Sequence, residues 1–158
     1  MSKKYNLYLG KAGQFAIMSE FLSRGWNTSI PDVDVGDDIL VVEDKKGEFK
    51  RVQVKTATAS VKENGYSVKF NLPLKQLSRS ISPEIHYVFM TRHEDMWVNM
   101  MIVQRKELYD FFKLGEIGNA DGENLTLYLT FKNNKMMCKK VDFAPFLNDF
   151  SSFPKIPH

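Results

Sequence analysis

Residues 51–57 read Arg-Val-Gln-Val-Lys-Thr-Ala. Side chains of an extended strand alternate between its two faces, so Val52 and Val54 share one face, while Arg51, Gln53 and Lys55 share the other. Upstream, Asp38 stands directly before the apolar run "ILVV", at the mouth of what reads as the preceding strand. Pairing of two such strands brings a carboxylate, an amide oxygen and an ammonium close together. That set suits a hard divalent cation, since magnesium takes carboxylate and carbonyl oxygens and keeps several of its waters. A nearby lysine can orient a water bound to such an ion or stabilise the charge that develops on a phosphate during hydrolysis. Singly, each piece is ordinary: an aspartate before a strand is a common turn residue, and Gln and Lys alternating with valines commonly mark a wet face. Their joint order carries the signal.

The elements that must position these residues follow from periodicity and punctuation. The spacing predicts a helix over 11–24, stopped by Gly25. Phe15, Ile17, Met18, Phe21 and Leu22 fall on one broad apolar arc of that helix. Gln14 lands in the middle of the arc, where a polar side chain needs a partner or a purpose. Glu20 lands outside it, beside Arg24. "WNTSIP" reads as a short strand, and "DVDVGDD" as an acidic turn carrying Asp34, Asp37 and Asp38. "ILVVED" reads as a central strand buried on both faces, followed by the hairpin turn "KKGE" and the strand "FKRVQVKTATA". "GYSVKFNL", "IHYVFMT" and "MWVNMMIVQ" are further strands, with "PLKQLSRSISPE" a turn or short helix between the first two. "RKELYDFFKLG" is a short helix, "LTLYLTF" and "KMMCKKVDF" a late hairpin, and "APFLNDFSSFP" a short aromatic terminal helix. This order gives an α/β or α+β arrangement with a sheet flanked by helices.

The order also resembles the PD-(D/E)XK nuclease superfamily, whose pattern is a helix bearing an acidic residue, a strand opening with Asp, and a strand carrying (Asp/Glu)-x-Lys. "GQFAIMSEFLSRGWN" is similar to the family's first helix, and "GDDILVVEDKKGEFKRVQVKTA" to its two central strands. The motifs cover residues 9–58, and "YVFMTRHEDMWVNMMIV" fits the later strands more loosely. "QVK" departs from the acidic third motif but matches a Gln-x-Lys variant found in some members, among them a group-I-intron homing endonuclease. Holliday-junction-resolvase-like domains are similar as well.

The resemblance implies a restriction-endonuclease-like α/β fold, a mixed central sheet flanked by helices, with the C-terminal hairpin and short helix. It implies a metal-dependent endonuclease acting on DNA, with Mg²⁺ or Mn²⁺ as cofactor and no organic cofactor. Carried over residue by residue, Asp38 would be the main metal ligand. Gln53 would bind through its side-chain oxygen, with the Val54 main-chain carbonyl beside it, and Lys55 would be the catalytic lysine. Asp37 is less favoured because Asp38 directly abuts the strand, and Asp34 is a remoter candidate. Related families place a glutamate early in the helix, at the position that here holds Gln14, while Glu20 is the helix's only carboxylate. The helix-borne site residue is therefore Glu20 or Gln14. Many members pair to cut both strands, so a homodimer is an expected form. Because Gln14 and Gln53 are both neutral, a second class of function stays open: a nuclease fold that binds DNA or protein without cutting.

Composition bounds the remaining possibilities. With 158 residues, the chain is expected to form one domain: a motif core at 9–58, later strands and a helix at 64–113, and a C-terminal extension at 114–158. The net charge of +3 is mild, so overall charge alone says little about nucleic acid. A single cysteine, Cys138, excludes an intrachain disulfide and a multi-thiolate zinc site. His86, His93 and His158 show no metal-ligand spacing. No phosphate-binding Gly-rich loop or nucleophile elbow is present. The N-terminus lacks the apolar core of a signal peptide and no later run is long enough to span a bilayer, so the expected location is intracellular, cytoplasmic and off the membrane. Phe143, Phe146, Phe150 and Phe153 recur at near-helical spacing and are expected to dock on the core; a scaffold role would rest on them alone.

Overall fold

The first helix, α1, runs Lys3–Ser23 and begins about two turns before the expected start. The Ser2 hydroxyl caps it, accepting the Tyr5 N–H at 3.2 Å. On this added segment Leu7 and Tyr8 are exposed and Leu9 alone is buried, too little of an inward stripe for periodicity to reveal. The other end behaves as expected. Gly25 takes φ +89°, its N–H reaches the Leu22 carbonyl at 2.9 Å, and the Trp26 N–H reaches the Phe21 carbonyl at 3.0 Å. That pair of bonds is a Schellman cap. The computed structural model describes residues 2–33 and 35–157.

The buried stripe of α1 is Leu9, Gly13, Gln14, Ile17 and Phe21. Phe15 and Leu22, expected on the inward arc, are more than half exposed. The sheet covers a single i, i+3/i+4 row, and the edges of the arc overhang it. Gly13 permits the close approach: a Cβ there would lie 2.2 Å from Thr56 Cγ2.

α1 lies on a five-stranded mixed sheet in the order β1-β2-β3-β6-β7, with β1 Asn27–Ser29, β2 Ile39–Glu43, β3 Glu48–Thr58, β6 Ile85–His93 and β7 Met96–Gln104. β3 and β6 run parallel; the other neighbours are antiparallel. β2 differs from its expected character. It lies second from the edge, with Ile39, Val41 and Glu43 buried and Leu40 and Val42 only partly so. The strand buried on both faces is β6, whose residues 85–90 are all enclosed between β3 and β7.

A second, antiparallel sheet was not expected. It contains β4 Ser60–Lys62, β5 Gly65–Pro73, β9 Asn124–Lys132, β10 Lys135–Cys138 and β11 Val141–Asp142 in the order β11-β10-β9-β5-β4, with β8 Asn119–Asp121 on the flank of β9. β5 and β9 pair along their whole length, a match between distant segments that no local pattern encodes. α2 Leu74–Ser78 and α3 Arg105–Lys113 connect the two layers. The expected terminal helix is a single 3₁₀ turn, Ala144–Phe146. Asn148 at φ +53° and the prolines at 145 and 154 break any longer run. The aromatic residues still reach the core, but in two places. Phe143 joins the core between the sheets, and Phe153 packs on Phe21 and Trp26 beneath α1.

These two cores decide what the faces of β3 meet. Val52 and Val54 enter the core under α1 with Val88 and Met90. Gln53 and Lys55 pair in register with Tyr87 and Phe89, which point into the core between the sheets. The polar face of β3 is therefore turned toward the second sheet and α2, and Gln53 is only 5% exposed.

Candidate active site

Asp38 sits where the chain enters β2. Its N–H donates to the Val52 carbonyl at 2.8 Å, continuing the β2–β3 ladder. Its carboxylate oxygen Oδ2 then accepts the Val54 N–H at 2.7 Å and a bond from the Gln53 amide. The side chain of Asp38 thus takes the place of the next rung, which fixes the carboxylate against β3 beside Gln53 and Lys55. Ionised acceptors of this kind make short, strong bonds.

Gln14 meets this centre from the helix. Its Nε2 donates to the Asp38 carbonyl at 2.6 Å, and its Oε1 accepts the Lys11 ammonium at 2.7 Å. A polar residue in the middle of the buried stripe has found a backbone partner, which satisfies the cost of enclosing an amide. Glu20 does not join the group: it pairs with Arg24 at 2.8 Å further along α1. Asp37, 3% exposed, is committed to the Arg51 guanidinium at 3.1 Å. Asp34 lies outside the described residues.

Gln14, Asp38, Gln53, Val54 and Lys55 line one open cleft of about 790 Å³, together with Lys4, Tyr8 and Lys11 from the first turns of α1. Two smaller cavities, about 490 and 410 Å³, adjoin it and share Lys55 as a wall. The charged side chains lining all three are Lys4, Lys11, Lys55, Lys69, Lys75 and Arg79 against Asp38, among the described residues. In a chain whose overall net charge is only +3, these six cations form a cationic trough around one carboxylate.

Lys4 and Tyr8 precede the expected start of α1 and so were not foreseen as lining residues; Lys11 opens the expected helix, but nothing in its spacing marks it as facing a site. The sequence reading also missed Gln76. From α2, Gln76 Nε2 donates at 2.8 Å to Gln53 Oε1 and at 2.8 Å to the Gly36 carbonyl. No local signal marks this residue. α2 is held in place by Arg105, whose guanidinium grips both carboxylate oxygens of Glu84 at 2.7 and 2.8 Å and the Leu77 carbonyl at 2.7 Å.

Two nearby titratable groups are held in their neutral forms near neutral pH. Burial pushes the Tyr87 phenol above its ordinary pKa; Arg105 opposes that shift, and Asp38 and Glu84 reinforce it, so it stays protonated. Burial, helped by the Lys50 ammonium and opposed by Glu84, lowers His86 to about 4, so it stays neutral. His86 also lies on the far face of the sheet, against Phe153.

The donors gathered at the cleft are a carboxylate, two amides and a main-chain carbonyl, with no thiolate or imidazole among them. No cluster of three acidic, His or Cys side chains occurs among the described residues. An oxygen-donor set with a single negative charge fits a hard ion that keeps much of its water, as Mg²⁺ and Mn²⁺ do, rather than zinc.

The PD-(D/E)XK endonuclease family matches this chain over residues 3–114. The fold is similar to that of a bacterial homing endonuclease, I-Ssp6803I, with a TM-score of 0.55 and 17% identity over 94% of this chain and 88% of that one. No curated protein sequence matches. No helix among the described residues is long and apolar enough to cross a membrane.

Proposed function

The chain belongs to the PD-(D/E)XK endonuclease family, and from that premise we propose that its cleft hydrolyses DNA phosphodiester bonds with Mg²⁺ or Mn²⁺. The observation that carries this reading is the meeting of Asp38, Gln53 and Lys55 in one cleft whose other charged walls, among the described residues, are cationic. A duplex presents closely spaced phosphates, and a cationic trough is the surface that binds them.

Asp38, the Gln53 side-chain oxygen and the Val54 carbonyl would hold the ion. When bound, the ion supplies Lewis-acid stabilisation of the scissile phosphate and lowers the pKa of water. The remaining work falls to the chain. The Lys55 ammonium stands beside the reacting centre to stabilise the negative charge that builds on the phosphate oxygens. Gln14 holds the Asp38 main chain, so the helix contributes alignment rather than charge. Lys11 and Lys4 receive flanking phosphates on the α1 side, and Lys75 and Arg79 do so on the α2 side. Glu20 has no role here.

A second reading, a cleft that binds DNA without cutting it, is favoured by one observation: Gln53 turns its nitrogen, not its oxygen, toward Asp38. Incubation of supercoiled and branched DNA with the protein in Mg²⁺ or Mn²⁺, beside Lys55→Ala, separates the readings. The nuclease reading expects cleavage by the wild type and loss of about 10²-fold or more in the variant, the scale of removing one stabiliser of transition-state charge. Equal nicking by both proteins sinks it; tight binding with no nicking in either ion supports the second reading.

A further inference from the structure

The orientation of Gln53 is dictated from outside the metal site. The Gly36 carbonyl can only accept, and it takes Gln76 Nε2. The same Nε2 faces Gln53, which must therefore present its oxygen to Gln76 and its nitrogen to Asp38 Oδ2. Two amides are thus strung between two obligate acceptors, a main-chain carbonyl and a carboxylate. Gly36, at φ +106°, is what lets the turn come so near: a Cβ there would lie 2.9 Å from Gln76 Nε2. The partner side is equally fixed, because Arg105 pins α2 through the Leu77 carbonyl.

In this arrangement Gln53 offers Asp38 a hydrogen-bond donor, the complement of an acceptor-only carboxylate. A hard cation shared by Asp38 and Gln53 needs the amide oxygen instead. The Gln53 amide must then turn over and offer Nε2 to Gln76. Gln76 must answer with its own oxygen and give up its bond to Gly36. We propose that Gln76 is a positioning residue for the metal: the amides of Gln53 and Gln76 reverse together when a divalent cation binds at Asp38, which couples occupancy of the site to the turn at Gly36. This rests on the metal-binding reading above.

The test uses the full chain without DNA. Side-chain amide NMR resonances are followed during Mg²⁺ titration, with Asp38→Asn as control. The expected result is that the Gln53 and Gln76 amides and the main-chain amide of Asp37, next to the Gly36 carbonyl, move with one midpoint, and that none moves in the control. In parallel, Mn²⁺ affinity is measured by calorimetry. Gln76→Glu, an acceptor only, holds Gln53 with its oxygen toward Asp38 and should tighten Mn²⁺ about fivefold, the worth of one hydrogen bond no longer broken. That gain should vanish in a Gln53→Ala background, whereas a gain from added charge alone would persist there. Gln53 moving while Gln76 stays fixed, or a gain that survives in Gln53→Ala, overturns the coupled reversal alone. Absence of any Asp38-dependent ion binding overturns both the reversal and the metal reading beneath it. If Gln76→Glu does not fold, the wild-type titration decides.

Discussion

Removing Lys75 and Arg79 together should flatten the salt dependence of DNA binding by a calculable amount. Both are exposed and both line the trough on the α2 side, so Lys75→Ala/Arg79→Ala is expected to leave folding intact. Among the described residues, six cations line the trough. If each neutralises one phosphate, log K falls against log salt with a slope of about −5.4, at roughly 0.9 per phosphate of a duplex. Between 50 and 200 mM salt, a fourfold change, the wild type then loses about 2,000-fold in affinity. With four cations left, the slope is about −3.6 and the loss about 150-fold. Fluorescence anisotropy with a labelled duplex, in buffer without divalent ions so that nothing is cut, measures both lines. Lys45→Ala/Lys46→Ala is the control, since that pair is conspicuous in the sequence but lies beside Glu43 and Glu48, outside the trough. Parallel lines for wild type and the α2-side variant, or an equal flattening by the control, would refute the assignment of the trough as the DNA surface.

Three further outcomes follow from the packing. Gly13→Ala should lower the unfolding free energy measured in urea by a net of about 1 kcal/mol, because overpacking against Thr56 of about 1–3 kcal/mol exceeds the helix-propensity gain of about 1 kcal/mol; cleavage should fall too as Gln14 is drawn off Asp38. Arg105→Leu should cost about 3 kcal/mol in chemical denaturation, the low end for a broken buried pair because Glu84 keeps a quarter of its side chain exposed. His86, lowered to about 4 in the folded state by burial, binds fewer protons there than in the unfolded chain. Stability should therefore rise with pH between 4 and 6.5 by up to about 3 kcal/mol, and be lost as pH falls through that window. Thermal melts across those pH values should show the slope in the wild type and a flatter one in His86→Phe.

The site was more legible in the sequence than the architecture around it. Alternation in β3 placed Gln53 and Lys55 on one face without any knowledge of the fold, and the helical phase of Gln14 showed that it pointed inward. Both are local consequences of repeat geometry. Glu20 attracted attention by its charge, yet its i, i+4 partner Arg24 claims it. The second sheet was not readable, because β5 meets β9 across a long stretch of chain and each strand alone looks like a member of any sheet. Gln76 was hidden for a related reason: a five-residue helix has no periodicity, and its role exists only where α2 crosses Gln53. The extension of α1 to Lys3 escaped notice because, Leu9 apart, its side chains face the cleft and solvent rather than a core.

The most direct measurement of the central claim is anomalous diffraction from crystals soaked in Mn²⁺. The account predicts a peak at coordination distance from both the Asp38 carboxylate and the Gln53 side-chain oxygen, lost in Asp38→Asn crystals. A peak elsewhere, or none at saturating Mn²⁺, would contradict it.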